Sequence, residues 1–327
     1  MKTLVRIALP FASLLSCANA GAETTINPQA IENAKLDTIA AEPPAQPAPH
    51  PDAAIVHLQV LLDRAGSSPG VIDGFDGDNV RKAIRGFEAL NDLPVDGKLD
   101  PEVLARLQAD KPIMRTVEIR KQDGDDLVGE IPEDYKEMSE FNQLGYSSIP
   151  EMLSERFHMD IDLVRALNPG AKFQAGERVA VVEPGAQVEG YVKRIEADKQ
   201  KGELRAYSED DRLIAIYPAT IGSKDNPSPS GTHKVKGVAR MPTYTYNPEI
   251  NFQQGDNTEK LILPKGPNNP VGTVWIDLTE PTYGIHGTPE PSLIDKVGSH
   301  GCIRLANWDA EELSDMVKPG VMVEFVD

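Results

Sequence analysis

Apolar and polar positions alternate with different periods along the chain, and the changes of period divide it into parts. Between residues 53 and 109 the period is helical. Ile55, Leu58, Leu62 and Ala65 share one face of a first helix, opened by Pro51-Asp52 and ended by Gly66. Val80, Ile84, Phe87 and Leu90 repeat the spacing in a second helix. A third begins where Asp100 supplies an N-cap and Pro101 the first helical position. The intervening Pro69-Gly-Val-Ile-Asp-Gly-Phe-Asp-Gly77 is a tight turn rich in residues that tolerate positive φ. Residues 53–109 therefore read as a small three-helix unit.

Residues 110–185 carry two short helical patterns and a strand. Ser148-Ile-Pro-Glu151 is a capping box for a helix running to Phe157, and Asp160 caps a second over 161–167. Asn168-Pro-Gly170 stops that helix, and 176–182 reads as a strand. Asp123-Gly-Asp-Asp126 reads as a solvated charged turn. From residue 188 the period shortens to two. Strands are expected over 191–197, 203–208, 212–220, 232–238, 273–277, 283–286 and 321–326. One late helix, capped by Asn307, places Ala310, Leu313, Met316 and Val317 inward. Many short strands with one helix predict a mainly-β, sandwich-like domain over 188–327. Residues 247–271, rich in Asn, Pro and Gly, read as a long loop over a site and a candidate lid. The whole is a multidomain α+β chain.

The N-terminus adds a destination. Lys2 and Arg6 precede an apolar run over 7–15 and the small-residue site Ala18-Asn19-Ala20, so 1–20 reads as a secretory signal peptide. Leu14-Leu15-Ser16-Cys17 offers a rival reading as a lipoprotein box with Cys17 acylated. Residues 21–52, with Glu42-Pro-Pro-Ala-Gln-Pro-Ala-Pro49, read as an extended, solvated linker. The expectation is export to the periplasm or cell envelope. The net charge of -18 argues against a nucleic-acid partner and against an anionic membrane surface. A wall polymer, recognised through sugars and peptides, remains compatible with it.

The candidate chemistry is near the C-terminus. Once Cys17 is set aside, Cys302 has no disulfide partner, which is unusual in an oxidising compartment. Its bland reading is a buried, inert hydrophobe. The neighbours argue otherwise. His300 lies two residues before it, His286 ends a separate strand, and Gly287 and Gly301 allow a substrate carbonyl to come close. An imidazole can take the thiol proton, and backbone N–H groups around Gly301 and Cys302 can form an oxyanion hole. That is a layout for acyl transfer through a thioester. Zinc held by His233, His286, His300 and Cys302 is the alternative, but no acidic base or close ligand pair accompanies them. His233 reads as a strand residue near the cleft, His57 as packed or surface-exposed, and Tyr283 and Trp308 as core.

Three stretches resemble known families. Leu58-Gln-Val-Leu-Leu62, Gly70-Val-Ile-Asp-Gly74, Ala83-Ile-Arg-Gly-Phe87 and Leu93-Pro-Val-Asp-Gly-Lys-Leu-Asp100 resemble the peptidoglycan-binding domain 1 family, with Glu88 replacing the usual glutamine. The helix, helix, Asn-Pro, strand order within 110–185 resembles the latter part of a LysM domain, another wall-glycan binder. His286, twelve residues, then Ser299-His300-Gly301-Cys302-Ile303-Arg304-Leu305 resembles the L,D-transpeptidase (YkuD-type) catalytic domain. Pro229-Ser-Gly-Thr232 and Ile285-His-Gly287 also fit, and this resemblance covers about 190–327.

The last resemblance implies roles. Cys302 would be the nucleophile and His286 the base, its other nitrogen oriented by a carbonyl near Gly287. His300 and Gly301 would shape the site and oxyanion hole, and Ser299 would hydrogen-bond a histidine. Arg304 would fix the loop or meet a substrate carboxylate. The implied substrate is a peptidoglycan stem peptide, and no metal or organic cofactor is implied. The acceptor stays open between a stem amine, water and a lysine of a wall-anchored protein. A non-catalytic wall-binding scaffold and a stem-cutting cysteine peptidase are the competing readings.

Overall fold

A computed structural model describes residues 26–44, 46, 48–109, 111–250 and 252–327. The expected signal segment 1–20, with Cys17, lies outside the described residues. Among the described residues no helix is long and apolar enough to cross a membrane.

The first unit contains α1 (Pro28–Glu32), α2 (Ala53–Arg64), α3 (Asp78–Leu90) and α4 (Pro101–Arg106). Asp52 and Asp100 cap α2 and α4, each accepting hydrogen bonds from two backbone N–H groups. One apolar face was expected on α2, yet every residue from Ala54 to Leu62 is buried. The cause is packing on several sides. Leu58 and Leu62 belong to a single core that also holds Met152, Leu163 and Val181. A unit of about 55 residues has a small core of its own, and this one extends it by sharing a core with residues 110–185.

Within the expected linker, residues 26–41 form a docked strap, whereas the described residues of the Pro- and Ala-rich stretch 42–50 are exposed, as expected. Ile31 of α1 is fully buried, and its carbonyl lies 2.8 Å from Nδ1 of buried His57. The Glu32 carboxylate accepts from the N–H groups of Ile113 and Met114. Arg81, paired with Asp76, donates to the carbonyls of Ala40 and Ala41. Ile26, Ile31, Leu36 and Ile39 supply the apolar contacts that composition alone obscured.

In the second unit, β1 (Met114–Glu118) and β2 (Arg178–Val182) pair antiparallel, α6 (Ile149–Arg156) packs on α7 (Ile161–Leu167) and α7 on β2, and α5 (Tyr135–Ser139) packs on the strand Leu261–Leu263 of the third unit. The strand β1 was not anticipated, because three of its five positions face solvent and only two are covered. Asp123 is likewise not solvated. Its carboxylate is buried between Arg120 and Arg156, which hold it down to about 2 against the opposing effect of burial.

The third unit is built from β3 (Arg194–Asp198), β4 (Glu203–Tyr207), β5 (Leu213–Pro218), β6 (Thr220–Ile221), β7 (Gly231–Arg240), β8 (Tyr244–Tyr246), β9 (Leu261–Leu263), β10 (Val274–Leu278), β11 (Gly284–His286), β12 (Ile303–Arg304), α8 (Asn307–Met316) and β13 (Met322–Val326). Among the described residues nine strands run in the order β5-β4-β3-β13-β7-β10-β11-β12-β6. The long strand β7 serves two partners: 231–234 pair with β13, and 235–240 with β10. The halves on either side of it share one core with α8, which is the sandwich arrangement. Asn307 is the first residue of α8 and not its cap. Its amide accepts from Thr273 N–H and donates to Glu155 and to the Pro267 carbonyl, pinning three chain segments together.

The units are joined by backbone hydrogen bonds. Ser68 N–H donates to Ile216 and Ile216 N–H to Gly66, both at 2.9 Å. Leu144 N–H donates to Lys265 at 2.9 Å. The segment 247–271, expected to be a long loop with little apolar content, follows β8 and itself contains β9, which pairs antiparallel with β8. These carry Tyr246 and Leu263, which pack with Leu144 in a small core covered by Ile131, Tyr135, Met138 and Phe141. The acidic insertion between β1 and α6 thus sits on the third unit.

Candidate active site

The site lies where β11 and β12 run parallel, with Ile285 opposite Ile303 and His286 opposite Arg304. His286 ends β11, and Cys302 immediately precedes β12. Both line a cleft of about 250 Å³. Close packing behind the strands sets their position. A Cβ at Gly287 would stand 2.1 Å from Asn307 Oδ1, so only glycine lets the strand end lie against α8.

His286 is 5% exposed, and its Nδ1 lies 2.7 Å from the Gly287 carbonyl. A carbonyl can only accept, so Nδ1 carries the proton and Nε2 is left as an acceptor. The Trp275 indole stacks on the imidazole at 5.6 Å. Burial pulls the His286 pKa down to about 4, assisted by the Arg304 charge and opposed by the Gly287 carbonyl. The ring is a neutral base. Burial pushes the Cys302 thiol up from its usual value, while the Gly284 N–H and Arg304 act the other way. Cys302 Sγ is 3.7 Å from the Thr282 carbonyl.

The turn before Cys302 has its own scaffold. Ser299 does not hydrogen-bond a histidine. Its hydroxyl accepts from Gly222 N–H at 2.8 Å and donates to the Cys302 carbonyl at 2.6 Å, closing the turn. Gly301 has φ +106°, and a Cβ there would meet Tyr283 Cε1 at 2.7 Å. Its N–H is directed to Ser299 Oγ at 3.3 Å. Of the two amides expected to receive an oxyanion, only that of Cys302 is without a partner among the described residues. His300 stacks face to face on Phe252, 3.9 Å between ring centres, and so ties the long loop to the turn before Cys302.

Other side chains fall differently from expectation. His233 is on β7, beside Glu280 and the Ser230 carbonyl, and does not line the cleft. The zinc set is therefore not brought together, and among the described residues no group of three His, Cys, Asp or Glu could hold a metal ion. Tyr283, expected in the core, stands in the cleft wall. Trp308 is buried and stacks on His158 of the second unit at 5.1 Å. Arg304 lines the cleft, and its guanidinium has no hydrogen bond or ion pair among the described residues. Tyr135, Tyr244 and Phe252 complete the wall and were not singled out from the sequence. Their signal was present in the alternation Tyr244-Thr-Tyr246 and in the spacing of Tyr135, Met138 and Phe141.

Residues 192–325 match the YkuD family, the L,D-transpeptidase catalytic domain, and residues 51–107 match a peptidoglycan binding domain family. The L,D-transpeptidase YkuD of Bacillus licheniformis is 30% identical over 177 residues, which is 53% of this chain and 90% of that protein. The chain belongs to the L,D-transpeptidase family. The L,D-transpeptidase ErfK/SrfK of Escherichia coli is 27% identical over 183 residues, and the match spans 59% of its length. Among solved structures, an L,D-transpeptidase from Mycobacterium smegmatis is 20% identical, with 45% of this chain and 65% of that chain covered and a TM-score of 0.34. In this L,D-transpeptidase the aromatic wall contributed by Tyr135 comes from outside the matched catalytic segment.

Proposed function

We propose that the chain cross-links peptidoglycan, with Cys302 as nucleophile and His286 as general base. The observation that carries this is the neutral His286, its proton held on Nδ1 by Gly287, on the strand beside the thiol. His286 Nε2 takes the thiol proton as Sγ attacks the carbonyl of the third residue of a tetrapeptide stem. The Cys302 N–H meets the developing oxyanion. Collapse breaks the bond to the terminal D-Ala, and the imidazolium returns its proton to the leaving amine. A thioacyl-enzyme remains. A side-chain amine of a second stem then attacks it, losing a proton to His286, and Sγ leaves to give a 3→3 cross-link. Water in that position yields a carboxypeptidase reaction, and a lysine of a wall-anchored protein yields protein attachment.

The peptidoglycan binding unit supplies the polymer, and the order β1, α6, α7, β2 with its antiparallel closure supports a LysM-like second glycan contact. Such a substrate places the enzyme in the cell envelope, and the segment 1–20 favours export to the periplasm. Intact mass of the chain after incubation with a carbapenem tests the assignment. A covalent adduct on wild type that is lost in Cys302→Ala is expected. No adduct on folded wild type would sink it.

A further inference from the structure

We propose that Glu155, on α6 of the second unit, is a positioning residue for the His286 base, acting through the side-chain amide of Asn307. This rests on the reading above of His286 as general base. Asn307 is 1% exposed and stands directly behind the strand end that carries the imidazole. Its Oδ1 accepts from Thr273 N–H at 3.2 Å. The same oxygen is wedged between two glycines: an added Cβ would stand 2.0 Å from it at Gly272 and 2.1 Å from it at Gly287. Gly287 is the residue whose carbonyl holds the His286 proton on Nδ1. The seat of the Asn307 amide therefore sets where that carbonyl points, and with it which ring nitrogen is left to accept the thiol proton.

An amide fixed on its oxygen side alone can still turn about its last side-chain bond. The nitrogen side locks it. Nδ2 has two hydrogens, and both are committed, to Glu155 Oε1 and to the Pro267 carbonyl, each at 3.2 Å. Pro267 belongs to the matched catalytic segment, whereas Glu155 lies outside both matched segments. Without Glu155 one buried N–H would lose its partner, and the amide would turn or draw in water to regain one. Burial keeps the Glu155 carboxyl protonated at neutral pH, raised to about 8, so the acceptor is present without a buried charge. The same helix holds the neighbouring loop. Glu151, one turn earlier, accepts from the side chain of Asn268, and the Asn268 N–H donates to the Leu144 carbonyl at 3.1 Å. Beside these contacts Pro270 and Val271 line the cleft. The catalytic segment is thus braced from behind by a helix that it does not encode.

The experiment uses the full chain and a carbapenem, with the saturating acylation rate and the half-saturating concentration separated by stopped flow. Rates are referred to the fraction that forms an adduct by intact mass, so unfolded chain does not count. Glu155→Met, which keeps the length and removes the acceptor, should lower the saturating rate by about tenfold to a hundredfold and leave the half-saturating concentration unchanged. Glu155→Gln, which keeps an acceptor oxygen, should recover most of the rate. Added to Asn307→Ala, Glu155→Met should cost nothing further, because the route is already broken. The ring nitrogen chemical shifts of His286 give a second reading. Nδ1 should stay protonated in wild type and Glu155→Gln, and the two tautomers should mix in Glu155→Met. An unchanged saturating rate in Glu155→Met, a loss of the same size in Glu155→Gln, or full additivity with Asn307→Ala would overturn this proposal alone. No adduct on folded wild type would overturn the transpeptidase reading with it.

Discussion

Thiol and imidazole should rest as a neutral pair, and the pH dependence of acylation reports it. His286 is held down to about 4 and the Cys302 thiol is raised above its ordinary 9.0. Moving the proton between them therefore spans at least five units, about 7 kcal/mol. A thiolate and an imidazolium ~4 Å apart recover about 4 kcal/mol at an effective dielectric of 20. Desolvation wins by roughly 3 kcal/mol. Carbapenem acylation, which needs the neutral base, should then be half-maximal near pH 4 and flat up to pH 8. At pH 5.5 nearly all of the plateau rate should remain. An imidazole of ordinary pKa would leave about a tenth of it. Stopped-flow acylation across pH 3.5–9, followed by tryptophan fluorescence, makes the comparison. His286→Ala should lower the plateau by about 10² to 10⁴. Alkylation of Cys302 by uncharged iodoacetamide should keep rising through pH 9. An alkylation profile already level at pH 6, or acylation half-maximal near 6.5, would refute the neutral pair.

Two further outcomes follow from buried groups and backbone. Burial, with Glu311 and Glu151 nearby and Asn307 opposing, raises the Glu155 carboxyl to about 8. The folded state then holds a proton that the unfolded state sheds, so stability declines as pH rises from about 4.5 to 8, by about 3–5 kcal/mol at most. Glu155→Gln keeps the protonated shape and should be more stable than wild type at pH 8.5 and nearly equal at pH 5 in urea melts; the same difference at both pH values would contradict this. At Gly301, alanine must adopt φ +106° and push against Tyr283, a strain of about 1–3 kcal/mol next to Cys302. Gly301→Ala should slow carbapenem acylation by more than about tenfold with only a modest fall in Tm; an unchanged rate would show that the turn tolerates a side chain.

What was legible in the sequence is what local chemistry encodes. The caps Asp52, Asp100 and Asp160 start helices through their own neighbours, and they appear where their spacing placed them. The histidine and Ser-His-Gly-Cys spacing singled out the cleft. Misreadings came where a residue's partner is distant in sequence. Asp123 reads as solvated until Arg156, 33 residues later, folds over it. The strap reads as linker until Arg81 claims the carbonyls of Ala40 and Ala41. Ser299 and Asn307 were assigned to the nearest attractive partner, a histidine and a helix end. Both instead bind backbone groups of other segments. Polar side chains choose partners after the fold is formed, which periodicity does not encode.

The insertion that carries Tyr135 also bears on how such chains change over time. Catalytic and wall-binding segments are often pictured as beads that recombination can shuffle freely. Here the junction near residue 186 is not a neutral place to cut. Exchanging everything upstream would remove Tyr135 from the cleft and uncover Tyr246 and Leu263. A new peptidoglycan binding unit would arrive with a new cleft wall, so the two change together.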